Sequence, residues 1–263
     1  MRQDARRQMI VNQLMAKGSV TIEALAAEFQ VSKMTVHRDL EDLEGAGLLR
    51  RIRGGATIEA SANFESDFRY RTTLAAEEKA RIATFAIRFI EPGQTVLIDD
   101  GSTTGSLAGH LAGMRPLTVI TNNMTVMQAL AGQLGITLIA LGGQYSERFH
   151  GFFGLLAEDT LRGLRADVAF ISSSSILGRS AYHQDQEVLQ IKRLMIASAT
   201  RKYLLVDHGK FGRSALYHLA TLDRFDGIVT GSAPETAVTD AIASSGIPLF
   251  VAGDPESDRL SLG

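Results

Sequence analysis

The sequence contains no cysteine. Disulfide bonds, thiolate catalysis and cysteine-ligated zinc sites are therefore excluded, and a cytoplasmic location is expected. No apolar run is long enough to cross a membrane, and none of the short ones follows a basic leader, so no membrane partner is expected. The formal net charge of −2 does not by itself indicate a partner.

Length and composition limit the possible architectures of the chain. The 263 residues are 45% hydrophobic and 21% charged, which excludes a disordered or collagen-like chain and fits one large domain or two unequal ones. Residues 1–58 carry 9 basic against 7 acidic side chains, whereas the remainder carries 18 against 22. We therefore predict a small, mildly basic domain over 1–58, a polar linker over 59–75 whose end packs on the following domain, and an acidic domain over 76–263.

The first domain shows helical spacing and capping residues in close succession. Apolar residues at helical spacing predict a helix over 5–17 and a second helix that begins after an N-cap at Thr21. A third helix is predicted over 33–46, with Ser32 as its N-cap and Gly47 at its end. Because the link between the second and third helices is so short, the two must cross tightly, as in a helix-turn-helix.

The third predicted helix and the segment after it carry candidate DNA contacts. Polar and basic side chains gather on the outer face of the helix at its start, where a helix in the major groove meets base edges. Three arginines accompany a possible short hairpin over 48–56, which suits contact with phosphates or the minor groove. The candidate DNA-binding residues are Ser32, Lys33, Met34, Thr35, His37, Arg38, Arg50, Arg51 and Arg53. The pattern alone also allows a three-helix packing unit whose arginines are merely solvated.

Residues 76–263 alternate short apolar runs with helical stretches. The predicted strands are Thr95–Asp99, Leu117–Thr121, Ile136–Leu141, Val168–Ser172, Tyr203–Asp207, Gly227–Thr230 and Leu249–Ala252. The predicted helices are 77–90, 103–112, 124–132, 156–163, 186–199 and 235–244. Strands of continuous valine, isoleucine and leucine between helices predict an α/β domain, with a mostly parallel sheet covered by helices on both faces.

Small, hydroxyl-bearing and glycine residues follow these strands, at the edge where ligands bind in such sheets. The loop Gly101–Thr104 offers hydroxyls and helix N-terminal amides, which fits a phosphate group. It is neither a Walker loop nor a GxGxxG fingerprint, so a nucleoside triphosphate is not expected. The alternative is an ordinary strand-to-helix turn with hydroxyl caps. The candidate ligand-binding residues at this edge are Asp99, Gly101, Ser102, Thr103, Thr104, Thr121, Asn122, Gly142, Gly143, Ser173, Ser174, Asp207 and Lys210.

Motifs along nearly the whole chain resemble one family. The N-terminal motifs are F-Q-V-S-K-M-T-V-H-R-D-L-E-D-L-E over 29–44 and R-I-R-G-G-A over 51–56. The later motifs are I-D-D-G-S-T-T over 98–104, Thr121-Asn122, Gly142-Gly143, Asp167–Phe170, Lys192 with Met195, and Asp207–Gly212. In order and spacing this set resembles the DeoR family of bacterial transcription regulators, whose corresponding loop reads L-D-S-G-T-T.

The resemblance implies a small α+β winged helix-turn-helix domain followed by a domain similar in fold to ribose-5-phosphate isomerase. It implies a DNA-binding regulator, a repressor of carbohydrate or polyol genes, which a phosphorylated sugar or polyol releases from double-stranded operator DNA. Lys210, with Lys192 as a further candidate from a facing helix, would then bring positive charge to the phosphate. Because one winged helix buries limited surface on DNA, we also expect a dimer or higher homo-oligomer.

Three positions depart from the family pattern. His37 stands where the family usually has arginine, and Gln190 where it often has glutamate. Ser172–Ser175 replace a glycine-rich stretch that carries an aspartate. The alternative function is a sugar-phosphate isomerase with an appended DNA-binding domain, in which Asp185 or Glu187 would have to supply the base.

Serine without a base partner accepts a proton poorly, so we expect no enzymatic activity, no catalytic residue and no cofactor. A metal site is not expected either, because the candidate histidines lack metal-ligand spacing. These histidines are His150, His183 and His208.

Overall fold

The chain forms two compact units, Met1–Leu74 and Ala75–Gly263. The computed structural model describes residues 3–45, 48–57, 68–255 and 257. Within this described part, no helix has both the length and the apolar character that crossing a bilayer demands.

The first unit packs helices against a small antiparallel sheet. Its helices are α1 (Gln3–Lys17), α2 (Ile22–Phe29), α3 (Lys33–Gly45) and α4 (Phe68–Thr73). Its strands are β1 (Ser19–Thr21), β2 (Arg50–Ile52) and β3 (Gly55–Thr57), in the order β1-β3-β2. The predicted three helices and hairpin are confirmed, and β1 is an addition that sequence reasoning missed. The predicted end of the third helix at Ala46 and Gly47 lies outside the described residues.

Side-chain caps begin the second and third helices, as predicted. Thr21 Oγ1 accepts a hydrogen bond from Ala24 N at 3.2 Å. Ser32 Oγ accepts one from Thr35 N at 3.1 Å. Between the helices, Gln30 has a left-handed backbone with φ of 54°, which ends α2 and turns the chain into α3. Each cap satisfies an amide that a first helical turn leaves unpaired.

Apolar faces of the helices and the sheet form the core of the first unit. The fully buried side chains include Ile10, Leu14, Leu25, Val36 and Leu40. At Gly55 in β3, a Cβ would stand 2.0 Å from the carbonyl oxygen of Val20. Only glycine therefore allows β3 to pair with β1, which explains the Gly-Gly-Ala motif at this point.

The end of the predicted linker requires a correction. Residues 59–67 lie outside the described residues, but Phe68–Thr73 forms helix α4 rather than irregular chain. Phe68 is buried, and α4 contacts α1. This segment therefore belongs to the first unit, in which the phenylalanine side chain is shielded from water.

The second unit is built on a seven-stranded sheet. Its strands are β4 (Thr95–Ile98), β5 (Leu117–Thr121), β6 (Ile136–Ala140), β9 (Ala166–Ile171), β12 (Ala199–Leu205), β14 (Gly227–Thr230) and β15 (Leu249–Val251). They lie in the order β15-β14-β12-β9-β4-β5-β6, and every neighbouring pair is parallel. All seven predicted strands are thus confirmed in one parallel sheet.

Both faces of this sheet are buried. Along β4, Val96 and Ile98 belong to the hydrophobic core on one face, whereas Leu97 belongs to the core on the other. The covering helices are α5 (Ala76–Ala86), α6 (Ser102–Gly105), α7 (Ala108–Leu111), α8 (Met124–Leu130), α9 (Leu155–Arg162), α10 (Gln186–Ser198) and α11 (Thr236–Ala243). Helices on both faces explain why the strands read as continuous apolar runs.

The helix predicted over 103–112 is two single turns, α6 and α7. Ser106 N donates to Thr103 O at 3.3 Å and Leu107 N donates to Thr104 O at 3.0 Å. These bonds reach three residues back, so they tighten the chain and interrupt the α-helical ladder. Each piece is too short to sum many peptide dipoles, which weakens the anion attraction that sequence reasoning placed at this terminus.

Two small antiparallel sheets were not predicted. One is the hairpin of β7 (Gln144–Ser146) and β8 (Gly151–Phe153). The other joins β10 (Ser175–Leu177), β11 (Ser180–His183) and β13 (Tyr217–Thr221) in that order. Their strands are three to five residues long, too short for a clear alternation of apolar and polar residues.

Candidate functional site

Helix α3 presents its polar side to solvent. Val36 and Leu40 are fully buried in the core of the first unit. The predicted contact residues Lys33, His37 and Arg38 are exposed. The exposed set also contains Ser32 and Met34, while Thr35 is half-buried beside the cap. Helical periodicity thus brings the predicted set together at the start of one helix.

Apolar and polar groups both stand on this exposed face. Met34 is 65% exposed, although a large apolar side chain normally prefers the core. An exposed apolar group at the start of such a helix suits contact with a thymine methyl group. Arg38 and His37 make no ion pair within the described residues, so their donors are available to a partner.

Lys33 forms an ion pair with Glu23, whose carboxylate oxygen lies 2.6 Å from Nζ. The hydrogen bond from Lys33 lowers the pKa of Glu23. Both side chains are more than half exposed, and such pairs contribute little to stability in water. Lys33 can therefore exchange Glu23 for a phosphate.

The three arginines of the hairpin differ in their surroundings. Arg51 Nε donates to Glu44 Oε2 at 2.9 Å, and Arg51 N donates to Glu44 Oε1 at 2.7 Å. The backbone amide of Arg51 lowers the pKa of Glu44. Arg51 thus joins the hairpin to α3. Arg50 and Arg53 are exposed and have no ion-pair partner in the described part of the chain.

Sequence reasoning missed a buried ionic cluster between α1 and α3. The Asp39 carboxylate is buried and accepts hydrogen bonds from Arg6 Nε at 2.5 Å and Arg7 Nε at 3.2 Å. Arg7 also pairs with the exposed carboxylate of Asp42. The hydrogen bond to Asp39 raises the pKa of Arg6. The available signal was an aspartate next to the apolar stripe of α3, with two arginines at the start of α1.

In the second unit, Asp99 organises the loop after β4. Its carboxylate is fully buried. Oδ1 accepts from Gly101 N at 3.0 Å and from Thr104 Oγ1, and Oδ2 accepts from Ser172 N at 2.6 Å. Since its lone pairs are occupied by the protein, Asp99 shapes the loop. The same bond commits the Thr104 hydroxyl to the loop.

Lys192 is fully buried beside the same loop. Its Nζ donates to Asp99 Oδ2 and to Ser172 Oγ, the latter at 3.0 Å, and lies 2.9 Å from Asp100 Oδ1. Burial lowers the pKa of Lys192, but the charges of Asp100 and Asp99 outweigh burial and raise the pKa above its ordinary value. Lys192 therefore carries a charge that two carboxylates already neutralise.

Gly101 permits a close contact between two strand ends. A Cβ at this position would stand 2.1 Å from Ser172 Oγ. Any side chain would push Ser172 away from Asp99. The close contact that this glycine permits is therefore with Ser172.

The end of β5 joins this loop through hydrogen bonds. Thr121 Oγ1 donates to Ile98 O at 2.7 Å. Asn123 Nδ2 donates to the carbonyl oxygens of Asp99 and Gly101 at 3.1 and 3.2 Å, and Asn123 also caps α8. Sequence reasoning did not select Asn123 for the site, although its place between a strand and a helix marked it as a cap. Asn122 Nδ2 donates to Phe152 O at 3.1 Å.

Gly142 and Gly143 lead from β6 into the β7–β8 hairpin. Gly143 has φ of 119°, and a Cβ there would stand 2.3 Å from Phe153 O. The pair therefore serves the turn. Ser173 and Ser174 follow β9, and Ser174 N donates to Tyr182 O at 3.0 Å, which begins the pairing of β10 with β11.

The turn after β12 carries Lys210. Asp207 Oδ1 accepts from Gly209 N at 3.2 Å and shapes this turn. Lys210 is half-buried and has no ion pair within the described residues. A bridge between Ile176 and Phe211 places the turn beside β10.

A buried carboxylate holds the same turn to α5. Glu78 Oε1 accepts from His208 N at 2.9 Å and from Gly231 N at 3.2 Å, and Oε2 lies 2.6 Å from His208 Nδ1. The hydrogen bond to Glu78 and its charge raise the pKa of His208. The other two candidate histidines also have polar neighbours: His150 Nδ1 lies 2.7 Å from Tyr145 Oη, and His183 Nδ1 accepts from Asp185 N at 3.1 Å. No group of three potential metal ligands converges among the described residues.

Comparison with known proteins identifies the chain. The family model of the DeoR-like helix-turn-helix domain matches residues 6–62, and that of the DeoR C terminal sensor domain matches residues 74–232. The chain belongs to the DeoR family. The first of these matches covers α3 and the hairpin, and the second covers the strand-end loops of Asp99, Lys192 and Lys210.

Full-length relatives of this DeoR-family chain are regulators. The glycerol-3-phosphate regulon repressor of Escherichia coli (strain K12) is 30% identical over 250 residues, 95% of this chain and 99% of the relative. The lactose phosphotransferase system repressor of Lactococcus lactis subsp. lactis is 35% identical over 234 residues, 88% and 91% of the two chains. This DeoR-family chain is accordingly a DNA-binding transcriptional regulator and not an enzyme, so the isomerase alternative is wrong.

The sensor domain is also similar to a solved structure of D-ribose-5-phosphate isomerase in complex with phospho-erythronic acid. That similarity covers 52% of this chain and 54% of the isomerase, with 17% identity and a TM-score of 0.39.

Proposed function

We propose that this regulator represses genes of carbohydrate or polyol metabolism in the cytoplasm and leaves its operator when a phosphorylated sugar or polyol binds the second unit. The names of the two repressors above, which concern glycerol 3-phosphate and lactose phosphotransferase systems, support this class of regulon. Release requires that the effector bind the DNA-free state more tightly than the DNA-bound state.

One observation carries the effector half of the proposal. Within the described residues, Ser102 and Thr103 are buried at the strand ends but their hydroxyls have no hydrogen-bond partner, and the Lys210 ammonium has no ion pair. Hydrogen-bond donors without a protein partner fit an anionic group. Because Lys192 is neutralised by Asp99 and Asp100, the positive charge for a phosphate comes from Lys210 instead.

We expect Arg38→Ala to weaken operator binding by about 1–3 kcal/mol, or roughly 5- to 150-fold, since Arg38 would contact a base or a desolvated phosphate. The measurement is a gel-shift titration on a duplex that the wild-type protein has selected from random sequence. Arg224→Ala is the matched control, because Arg224 is an exposed arginine of the second unit. Equal affinity of the Arg38 and Arg224 variants would remove Arg38 from the interface.

We expect Thr103→Val to reduce affinity for a phosphorylated effector by about 10- to 150-fold, because one charge-assisted hydrogen bond contributes about 1.5–3 kcal/mol. Valine keeps the shape of threonine, and the lost hydroxyl has no hydrogen-bond partner in the described part of the chain, so folding should be unchanged. Calorimetry with matched free and phosphorylated sugars and polyols measures the effect, with the exposed Thr160→Val as control. A normal response of Thr103→Val would place the phosphate elsewhere.

The regulator is expected to act as a dimer or a higher homo-oligomer. A single winged helix buries roughly 600–1,000 Å² on DNA, which limits the affinity of one domain, and paired domains on symmetric operators overcome this limit. Light scattering at micromolar concentration, with and without operator, measures the mass. A monomer under both conditions would contradict the expectation.

A further inference from the structure

Four buried side chains at the strand ends of the second unit carry polar atoms that the protein does not satisfy. Within the described part of the chain, Asp100 Oδ2 has no hydrogen-bond partner, whereas Oδ1 lies 2.9 Å from the Lys192 ammonium. Asn122 Oδ1, Ser173 Oγ and Ser175 Oγ likewise have no hydrogen-bond partner among the described residues. Each of these residues is more than nine-tenths buried. Buried polar atoms without partners are uncommon in proteins, so a group of four such side chains is a candidate ligand site.

The sheet order brings three of these residues together. β4 lies between β9 and β5, and Ser173, Asp100 and Asn122 follow the ends of these three strands. Gly151 packs closely against this edge, since a Cβ there would stand 2.9 Å from Asn122 O and 3.4 Å from Asp100 Cβ. These three residues therefore lie at one edge of the sheet.

The charge of this group favours hydrogen-bond donors. Asp99 and Asp100 are two carboxylates around one ammonium, that of Lys192, which leaves one excess negative charge. The side-chain nitrogen of Asn122 already donates to the carbonyl oxygen of Phe152, so within the described residues Asn122 Oδ1 is the atom of this amide without a partner. A phosphate would be repelled by Asp100, whereas a hydroxyl group could donate to it. A metal ion is disfavoured, because the Lys192 ammonium stands 2.9 Å from the Asp100 carboxylate.

We infer that Asp100, Asn122, Ser173 and Ser175 bind the hydroxyl groups of the effector's carbon chain, so that the sensor selects a polyhydroxylated ligand. The inference rests on the proposed function, in which Ser102, Thr103 and Lys210 hold the phosphate. Asp100 stands at the position of the serine in the L-D-S-G-T-T pattern quoted above, so this acceptor is a feature of this chain. The phosphate and the hydroxyl groups of the effector are then bound by separate residues at the same edge of the sheet.

The test is calorimetry on the full chain with pairs of ligands that differ only in hydroxyl groups. In the first pair, sorbitol 6-phosphate is compared with n-hexyl phosphate. In the second pair, glycerol 3-phosphate is compared with n-propyl phosphate. Inorganic phosphate measures binding at the anion site alone. The inference predicts that at least one polyol phosphate binds ten-fold or more tightly than its alkyl partner. Equal binding within both pairs would overturn it while leaving the phosphate site intact.

Asp100→Asn separates hydrogen bonding from charge. The variant keeps the shape but removes the negative charge, so affinity for the alkyl phosphates and inorganic phosphate should stay the same or rise. Affinity for the polyol phosphate should fall ten-fold or more. If both kinds of ligand gained equally, Asp100 would act only as a charge, and the inference would fail.

Ser173→Ala gives a second, milder test. Because Ser173 Oγ has no protein partner among the described residues, the variant should fold normally and lose about three- to ten-fold in polyol phosphate affinity. The exposed Ser244→Ala is the control. Should inorganic phosphate and all four organic phosphates fail to bind, the proposed effector class falls. Free sorbitol and free glycerol then test the inference. If the wild-type protein binds one of them and Asp100→Asn weakens that binding, the inference is supported. If neither polyol binds, the inference is overturned.

Discussion

Lys192→Met is expected to destabilise the second unit by about 3–5 kcal/mol, because removing one partner of a buried ionic group leaves the remaining charges unpaired. Lys192 is fully buried between Asp99 and Asp100, and both carboxylates are fully buried too. Methionine has a similar length and keeps most of the apolar packing. The loss therefore reports the ammonium and not a cavity.

Urea denaturation followed by circular dichroism measures this loss. Lys202→Met is the matched control, since Lys202 is half-buried and, among the described residues, its ammonium donates only to the backbone carbonyls of Ala199 and Thr200. This substitution should cost less than about 1 kcal/mol. In the Lys192→Met background, Asp100→Asn should recover part of the stability by removing one of the two unpaired charges. A cost below about 1 kcal/mol for Lys192→Met would mean that the charges are not desolvated as the structure indicates.

Asp39→Ala is expected to destabilise the first unit by about 3–5 kcal/mol and to abolish operator binding at temperatures where the wild type is folded. Arg6 is only 7% exposed, and without Asp39 its guanidinium would be buried without a counter-ion. The pair joins α1 to α3, so the helix with the candidate DNA contacts would lose its support. Thermal unfolding and gel shifts on the same samples measure both effects.

Two further variants of this cluster sharpen the test. Asp42→Ala should cost no more than about 1 kcal/mol, because Asp42 is largely exposed and its pair with Arg7 is solvated. Arg6→Met combined with Asp39→Leu should recover much of the stability, since apolar residues replace both charges. If Asp39→Ala and Asp42→Ala behaved alike, the buried pair would have no special role.

Lys192 and Asp39 illustrate one use of charge in this regulator. Each is buried and is paired with opposite charges from a distant part of the chain. Neither lies on the candidate binding surface itself, but each holds in place an element that does. The side chains without ion-pair partners among the described residues, such as Arg38 in the first unit and Lys210 in the second, are the ones proposed to bind DNA and phosphate. Lys192 and Asp39 therefore support the neighbouring surfaces through their buried ion pairs.

The structural elements that depend on neighbouring residues could be predicted from the sequence alone. The caps at Thr21 and Ser32, the apolar stripe of α3 and the seven buried strands follow from local spacing, because capping and helical or strand periodicity act within a few residues. The order of small residues after the strands also placed the candidate edge, since parallel strands bring their carboxyl ends together.

Which side chains already have hydrogen-bond or ion-pair partners could be seen only in the three-dimensional structure. Lys192 and Asp99 are 93 positions apart and Arg6 and Asp39 are 33 apart, so no local pattern could show that they pair. The same applies to Asn123, which holds the Asp99 loop from the next strand, and to Phe68, which packs in the first unit. Hydrogen bonding and burial are set by packing between distant segments, and that packing leaves Asp100 and Thr103 as groups that a ligand can satisfy.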